Sequence, residues 1–398
     1  MSSKDKVKTT LCLLLFGLIL SVGLMEIILR VIDFSYPSLH RLNKTTGGEL
    51  LPGAEGWSRK EGEQYIKINK DGMRGQVFEK SKPIDTVRIA VLGDSFAEGF
   101  QVSYDNTFPS ILKNALDECK AFGEKKVEVI NFGVGGYGTA QELLALRERV
   151  WSYDPDIVLL AMFLGNDIRN NSVALEGQRM RPFFILRNGE LVLDDSFRYS
   201  KEFKVKTSLA WRAILAVAQY SRIVQLLNKA RHNLGSTLRY VVLNAQLAKQ
   251  DNDIHHEGYK EALFEPINKV WAEAWLITEK LLLRMRDEIR QKGKKFIIVT
   301  LSTGIQVHPD FQVRENFIEN IGVADLLYPD RRINEFALKN EIPNIMLAPR
   351  LATHALKTGE FLHGFKNSKM GVGAGHGHWN ENGHRLGGHL IAEKFCGE

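Results

Sequence analysis

The chain is poor in cysteine, with three in 398 residues: Cys12, Cys119 and Cys396. An odd count without regular spacing excludes a disulfide framework and any paired Cys–His zinc motif. Cys119 and Cys396 could pair, but the expectation is free thiols, buried or near the surface. Charge of one sign is also in short supply. The formal net charge is only +6, with 25% of residues charged. No zinc-finger, RNA-binding or basic-zipper pattern accompanies that excess, so nucleic acid is not an expected partner. Internal repeats are absent. With 44% hydrophobic residues the composition is that of a folded protein. The length suits one large α/β domain with insertions and an attached segment.

Only one apolar run is long. Leu11 to Leu29 is interrupted by Glu26 alone, and its 19 residues at helical rise match a hydrocarbon core. Lys4, Lys6 and Lys8 precede it, which favours a cytoplasmic N-terminus and passage of the remainder across the membrane. Glu26 lies near the far end, where it can pair with Arg30 at i+4. A cleaved signal peptide would end in a small-x-small site. Ser21-Val22-Gly23 serves poorly, because Leu24 to Ile32 continues apolar beyond it. Residues 1–32 therefore read as an uncleaved single-pass anchor in the inner (cytoplasmic) membrane, with the rest in the periplasm or exterior.

Residues 33–84 are rich in Gly, Lys and polar side chains, punctuated by Pro37, Pro52 and Pro83, and read as a juxtamembrane segment. From there strands and helices alternate over residues 85–398. Strands are expected at Val87–Leu92, Val127–Phe132, Ile157–Phe163, Lys295–Leu301 and Ile345–Leu347. Helices are expected at Phe108–Leu116 (with Thr107 as N-cap), Thr139–Val150, Ile267–Gln291, Arg332–Lys339 and Gly383–Phe395. In the second of these, Gln141, Glu142, Arg147 and Glu148 are expected to face water. Nearly continuous apolar strands, each followed by a helix, imply a parallel sheet covered on both faces. An insertion at about 171–262 breaks the rhythm. Its stretch Arg198–Gln250 holds ten Lys/Arg and one acid, Glu202. The expectation is an apolar face packed on the main domain and a solvated basic face; a membrane-resting or lid role is the alternative.

Four patches fall where ligands gather in such a sheet, at the carboxyl ends of strands. Gly93-Asp94-Ser95-Phe96 breaks the first strand into a sharp turn that lifts a hydroxyl, with free backbone N–H groups in the helix behind it. The second, Asn131-Phe-Gly133-Val-Gly135-Gly136-Tyr-Gly138, has enough glycine for backbone to approach a ligand oxygen. Asn166, in Gly165-Asn166-Asp167, offers a neutral amide donor suited to an oxyanion. His376-Gly-His378-Trp-Asn-Glu-Asn-Gly383-His384 contributes His378 as a general base for Ser95. Each alone has a plainer explanation: a turn, a flexible loop, an Asx cap, a surface histidine run. A metal site on His376, His378 and His384 lacks a carboxylate or Cys to complete a known spacing, so no metal or cofactor is expected.

In order and placement the patches resemble the SGNH hydrolase superfamily, the GDSL esterases and lipases, of the membrane-anchored bacterial type. VRIAVLGDSFAEGF, VINFGVGGYGTAQE and PDIVLLAMFLGND carry the likeness. The resemblance implies a flavodoxin-like three-layer α/β/α sandwich around a five-stranded parallel sheet. It implies Ser95 as nucleophile, with Asp94 supporting it, and His378 as base. The oxyanion donors would be the Ser95 and Gly136 backbone N–H groups and the Asn166 side chain. Members of this type carry an Asp two or three residues before the catalytic His. Here those positions are His376 and Gly375, and no acid lies between Phe365 and Asn380. A backbone carbonyl or Asn380 would have to hold the ring, giving a Ser–His dyad. His384 and His389 read as structural.

The resulting expectation is an ester hydrolase or O-acyltransferase (O-acetyl transfer included), working through an acyl-serine on an extracytoplasmic, carbohydrate or lipid ester. The alternative is a degenerate hydrolase fold that binds glycan or scaffolds polysaccharide assembly, supported by the absent acid.

Overall fold

The computed structural model describes residues 3–231, 260–266, 268–366 and 373–397. Part of the insertion, residues 232–259, and with it the end of the basic stretch, lies outside the described residues.

The central sheet has five strands: β5 (Thr86–Gly93), β6 (Lys126–Asn131), β7 (Ile157–Met162), β10 (Lys295–Thr300) and β11 (Asn344–Met346). They lie in the order β11-β10-β7-β5-β6, and every pairing is parallel. Alternation along β5 explains the layering. Ala90 and Leu92 point into one core with helices α4 (Thr139–Glu148) and α9 (Lys269–Gln291). Ile89 and Val91 point into the other with α3 (Phe108–Glu118), α12 (Ala348–Thr358) and α13 (Glu381–Cys396). The sheet is thus buried on both faces between helical layers, as the unbroken apolar strands required. The chain leaves β5 for β6 on one side and then returns to β7 on the other. That reversal opens a crevice at the carboxyl end of β5.

Residues 33–84 pack against the main domain. Leu39, Leu50, Ala54, Ile66, Ile68, Met73 and Phe78 are buried in the same core as α4 and α9. Two small hairpins organise the segment: β1 (His40–Arg41) with β2 (Glu49–Leu50), and β3 (Glu55–Ser58) with β4 (Gln64–Lys67).

Helix α1 (Ser3–Val31) contains the apolar run, and none of its most apolar window is buried. Glu26 pairs with Arg30 at 2.8 Å. The insertion supplies the hairpin β8 (Phe183–Arg187) and β9 (Glu190–Asp194), helices α6 (Lys201–Lys206) and α7 (Leu209–Tyr220), and a helical stretch over residues 222–231, here α8. Packing of its apolar face on the main domain does not hold for α7, whose one buried residue is Ala218. Trp211 and Leu215 are only half-buried, and hydrogen bonds at its end add to the attachment.

Two further expectations are corrected. Cys119 and Cys396 form a disulfide across 277 positions, with Cα atoms 5.8 Å apart. It joins the ends of α3 and α13, two helices that pack together in one layer. Gln141 and Glu142 are buried rather than facing water. Residues from the start of the insertion cover that side of α4: Arg181 donates to Gln141 Oε1 at 2.7 Å.

Candidate active site

Ser95 opens the four-residue helix α2 (Ser95–Glu98) directly behind β5. The turn is too tight for a side chain at Gly93, where a Cβ would lie 2.9 Å from the Ala97 Cβ and 3.0 Å from the Ala161 carbonyl oxygen. Asp94 is the N-cap, its carboxylate accepting from the Phe96 N–H at 2.9 Å. Gly99, at φ 64°, ends the helix in the left-handed region. This single turn leaves the Ser95 N–H without an intrahelical acceptor.

The loops after β6 and β7 close on that turn. Gly133 lies so near α2 that a Cβ there would meet the Ala97 Cβ at 2.5 Å. Asn131 donates to the Ala97 carbonyl at 2.5 Å and accepts from the Gly133 N–H. Gly135 donates its N–H to Glu98 Oε1 at 2.9 Å. The adjacent Gly136, exposed at φ 80°, turns the loop back with open space around its Cα. From β7, Asn166 Nδ2 donates to Asp94 Oδ2 at 3.0 Å, beside the serine. Burial pushes the Asp94 carboxyl up, against the bonds from Phe96 and Asn166.

His378 arrives from the other end of the chain. Its Nε2 lies 2.7 Å from Ser95 Oγ. Phe96 supports the ring, with centroids 4.9 Å apart. The loop that carries it is pinned by a second histidine. His363 Nδ1 donates to the Gly377 carbonyl at 2.8 Å, and its Nε2 accepts from Ser302 Oγ at 3.0 Å. Ser302 in turn accepts from Trp379 Nε1 at 2.9 Å. Burial holds the His363 pKa down at about 4, so it stays neutral and keeps this wiring.

A residue outside every patch singled out in the sequence completes the arrangement. Glu61, in the turn between β3 and β4, places both carboxylate oxygens 2.9 Å from His378 Nδ1. Its Oε2 also accepts from the His378 backbone N–H at 2.9 Å. Two glycines make this approach possible. A Cβ at Gly377 (φ 75°) would meet the Glu61 carboxylate at 2.8 Å, and one at Gly62 would strike the Gln101 carbonyl at 2.0 Å. Burial opposes ionisation of both partners. The hydrogen bonds and mutual charge outweigh it, so Glu61 is lowered and His378 raised from their ordinary pKa values.

The dyad expected from the sequence is therefore a Ser–His–Glu chain. Asn380 does not hold the ring: its carbonyl caps α13 through the Asn382 and Gly383 N–H groups, and its amide donates to the Phe361 carbonyl at 2.8 Å. His384 is buried, accepts from the Phe108 N–H at 3.2 Å and is pushed down to about 3 by burial. His376 and His389 are exposed. The signal that could have pointed to Glu61 is the Glu-Gly pair in the hairpin turn, but nothing there links it to a histidine 317 positions away.

Residues 89–184, about a quarter of the chain, match the family model described as GDSL-like Lipase/Acylhydrolase. An arylesterase of Vibrio mimicus is 32% identical over 82 residues, covering 21% of this chain and 39% of the relative. The match thus spans about two fifths of that relative's length. Among solved structures, the acetyl xylan esterase AlAXEase is 14% identical, with 77% of this chain and 98% of that one covered at a TM-score of 0.36. A putative lipolytic protein of the G-D-S-L family from Desulfitobacterium hafniense is 11% identical, with coverage of 77% and 98% and a TM-score of 0.34. Axe2, an acetylxylan esterase of Geobacillus stearothermophilus, is 12% identical, with coverage of 78% and 94% and a TM-score of 0.34. Likenesses this loose say nothing about substrate.

Proposed function

The chain belongs to the SGNH hydrolase superfamily, and from that premise we propose that it is a membrane-anchored serine esterase acting on an extracytoplasmic O-acyl ester. The single observation that carries this reading is the continuous line Ser95 Oγ, His378 Nε2, His378 Nδ1, Glu61 carboxylate, at 2.7 Å and 2.9 Å. His378 Nε2 takes the Ser95 proton as Oγ attacks the acyl carbon. Charge passes to the former carbonyl oxygen, which the Ser95 and Gly136 N–H groups and the Asn166 amide serve as donors. Collapse of the adduct breaks the ester C–O bond, and His378 returns the proton to the departing alkoxide. Water, deprotonated by the same nitrogen, then releases the acid and restores Ser95. A sugar hydroxyl in place of water would make the same acyl-enzyme a transferase. Glu61 stays ionised, fixes the Nδ1–H tautomer and stabilises the imidazolium between the two proton transfers. A non-catalytic glycan-binding fold drew its support from the missing acid beside His378, and Glu61 removes that ground.

Two features support an extracytoplasmic domain on a single-pass anchor in the cytoplasmic membrane. Lys4, Lys6 and Lys8 precede the apolar helix, and the Cys119–Cys396 disulfide suits an oxidising compartment. Glu61 itself helps to line a cleft of about 290 Å³, whose walls also include Arg59, Lys60, Glu63, Phe365, Lys366 and Glu381. Ser95 and His378 do not line this cleft, but its polar, charged walls with one aromatic ring, next to Glu61, suit the sugar of an acylated glycan better than an acyl lipid.

The test uses the full chain in nanodiscs, with a chromogenic acetyl ester and an O-acetylated oligosaccharide. Wild type should release acetate and Ser95→Ala should not, and mass spectrometry of rapidly quenched protein should find the acyl group on Ser95. Equal rates for wild type and Ser95→Ala on both substrates would overturn the reading. Acetyl groups appearing on an added oligosaccharide acceptor would establish transfer instead of hydrolysis.

A further inference from the structure

Helix α7 is apolar along almost its whole length, with Arg212 its one charged residue. Yet Leu209, Ile214 and Val217 are 82%, 51% and 54% exposed. Apolar residues exposed singly are ordinary, but a run of them along the outer face of one helix, with Trp211, Leu215, Ala218 and Gln219 turned inward, is not. They continue a surface of the same kind. Val205 on α6 and Leu227 on α8 are exposed, and so are Ile28, Val31 and Ile32 at the end of α1.

The position of α7 is set by the end of α1. Arg30 Nη2 donates to the Tyr220 carbonyl at 2.5 Å. The Glu26 carboxylate accepts from the Ser221 hydroxyl and from the Arg222 and Ile223 N–H groups at 2.9–3.1 Å, and so caps α8. Gln219 donates to the Ser38 carbonyl at 2.7 Å, and Gln225 Oε1 accepts from the Tyr36 N–H at 2.9 Å. The α7–α8 corner therefore sits level with residues 26–30, the last turn and a half of the apolar helix. Just beyond, Asp33 pairs with Arg59 at 2.7 Å, which marks the aqueous side.

We propose that α7 lies in the interface of the same bilayer that α1 crosses, with Leu209, Ile214 and Val217 in the headgroup–acyl boundary. The inference rests on the anchor reading given above. Charge agrees with it: between residues 198 and 231 there are eight Lys/Arg and one acid, Glu202. An interfacial helix with basic flanks binds lipid through buried apolar area and attraction to anionic headgroups. The contact would hold the domain against the membrane at two points, a spanning helix and a surface helix, and so fix its orientation. It also places the reaction centre near the lipid surface. From Ile32 to His40, whose ring meets Glu98 of α2 at 2.6 Å, eight residues span at most about 28 Å.

The experiment uses the full chain with Cys12→Ser, reconstituted in nanodiscs containing anionic phospholipid. An environment-sensitive fluorophore is placed in turn at Ile214→Cys, at Leu18→Cys in the middle of α1, and at Lys120→Cys on the distant α3 end. Quenching by lipids brominated near the carbonyl group is compared with quenching by lipids brominated at mid-chain. The expected result is about two-fold quenching at position 214 by the shallow bromines, mid-chain quenching at 18, and neither at 120. A probe at 214 that responds like the one at 120 while 18 is quenched would overturn this proposal and leave the anchor standing. No quenching at 18 would overturn both. A blue-shifted probe at 214 without quenching by either lipid would assign the face to a second copy of the chain, and would overturn it too.

Discussion

Glu61 and His378 are joined twice: the Glu61 carboxylate meets the imidazole Nδ1 at 2.9 Å and accepts the backbone N–H of the same histidine at 2.9 Å. One contact sets the tautomer, and the other sets the position of the loop that carries the ring. The acid of the site is thus delivered by a segment that enters the fold before the first strand of the main sheet, not by the neighbour of the base. Glu61→Gln keeps the shape and removes the charge. It should lower kcat by about 10³- to 10⁴-fold, while Glu61→Asp should recover part of the loss. A kcat within two-fold of wild type for Glu61→Gln, measured by stopped-flow ester release, would leave the carboxylate with a packing role only.

The pH profile follows from the same pair. Glu61 raises the His378 pKa despite burial, which acts the other way. Activity needs neutral His378, so kcat/KM rises with pH through that pKa. Removing the carboxylate lowers the pKa, and the rising limb of Glu61→Gln should move to lower pH. A limb that stays in place, or moves to higher pH, would show that another group governs the imidazole.

Arg59 links this geometry to the end of α1. Its guanidinium reaches the Asp33 carboxylate at 2.7 Å, the Asp33 carbonyl at 2.9 Å and Glu63 at 2.7 Å, two residues from Glu61 on either side. These pairs are partly exposed, so each is worth little in stability. Their effect should appear in positioning. Asp33→Asn and Arg59→Gln should reduce kcat about two- to five-fold, with KM unchanged and the acid limb displaced in the direction expected for Glu61→Gln. A loss of protein stability without any displacement of the limb would confine Arg59 to a structural role.

The disulfide makes a separate prediction. It closes a span of 277 residues between α3 and α13, and α13 begins just after His378. Cys396→Ser should cost about 2–4 kcal/mol of stability and lower Tm by roughly 5 °C or more. At 25 °C the rate should be near wild type, because α13 remains packed on α3 through Gly388, whose missing side chain lets Ile111 approach. Calorimetry of oxidised and reduced protein measures the first effect, and steady-state assays the second.

What could be seen in advance divides along a physical line. Loops that follow adjacent parallel strands must converge, so Ser95, the Gly133–Gly136 turn and Asn166 could be placed together from motif and order alone. Partnerships made across the whole chain could not. Glu61 reaches His378 only because the 33–84 segment buries Leu39, Ile66 and Met73 in the main core, and its Gly- and Lys-rich composition hides that. The Cys119–Cys396 bond depends on α3 lying against α13. The amphipathic reading of α4 failed for Gln141 and Glu142 because the insertion, through Arg181 and β8, covers a face that would otherwise be wet.

Glu142 yields the last prediction. It is fully buried, and neither carboxylate oxygen has a hydrogen-bond partner among the described residues. Burial, and next the Asp94 charge, push its carboxyl well above the ordinary 4.5, with Arg181 opposing. Asp167 is raised by burial and by Glu142 in the same way. A raised acid in the folded state means that the native protein holds a proton the unfolded chain has lost. The associated stability is complete below the unfolded pKa and declines as pH rises through the folded one. Glu142→Gln removes that dependence. Its Tm should exceed wild type by about 2–4 °C at pH 8 and match it near pH 4, as followed by differential scanning fluorimetry. A variant less stable than wild type at pH 8 would mean that Glu142 is ionised and paired in the native protein, and that Arg181 outweighs burial.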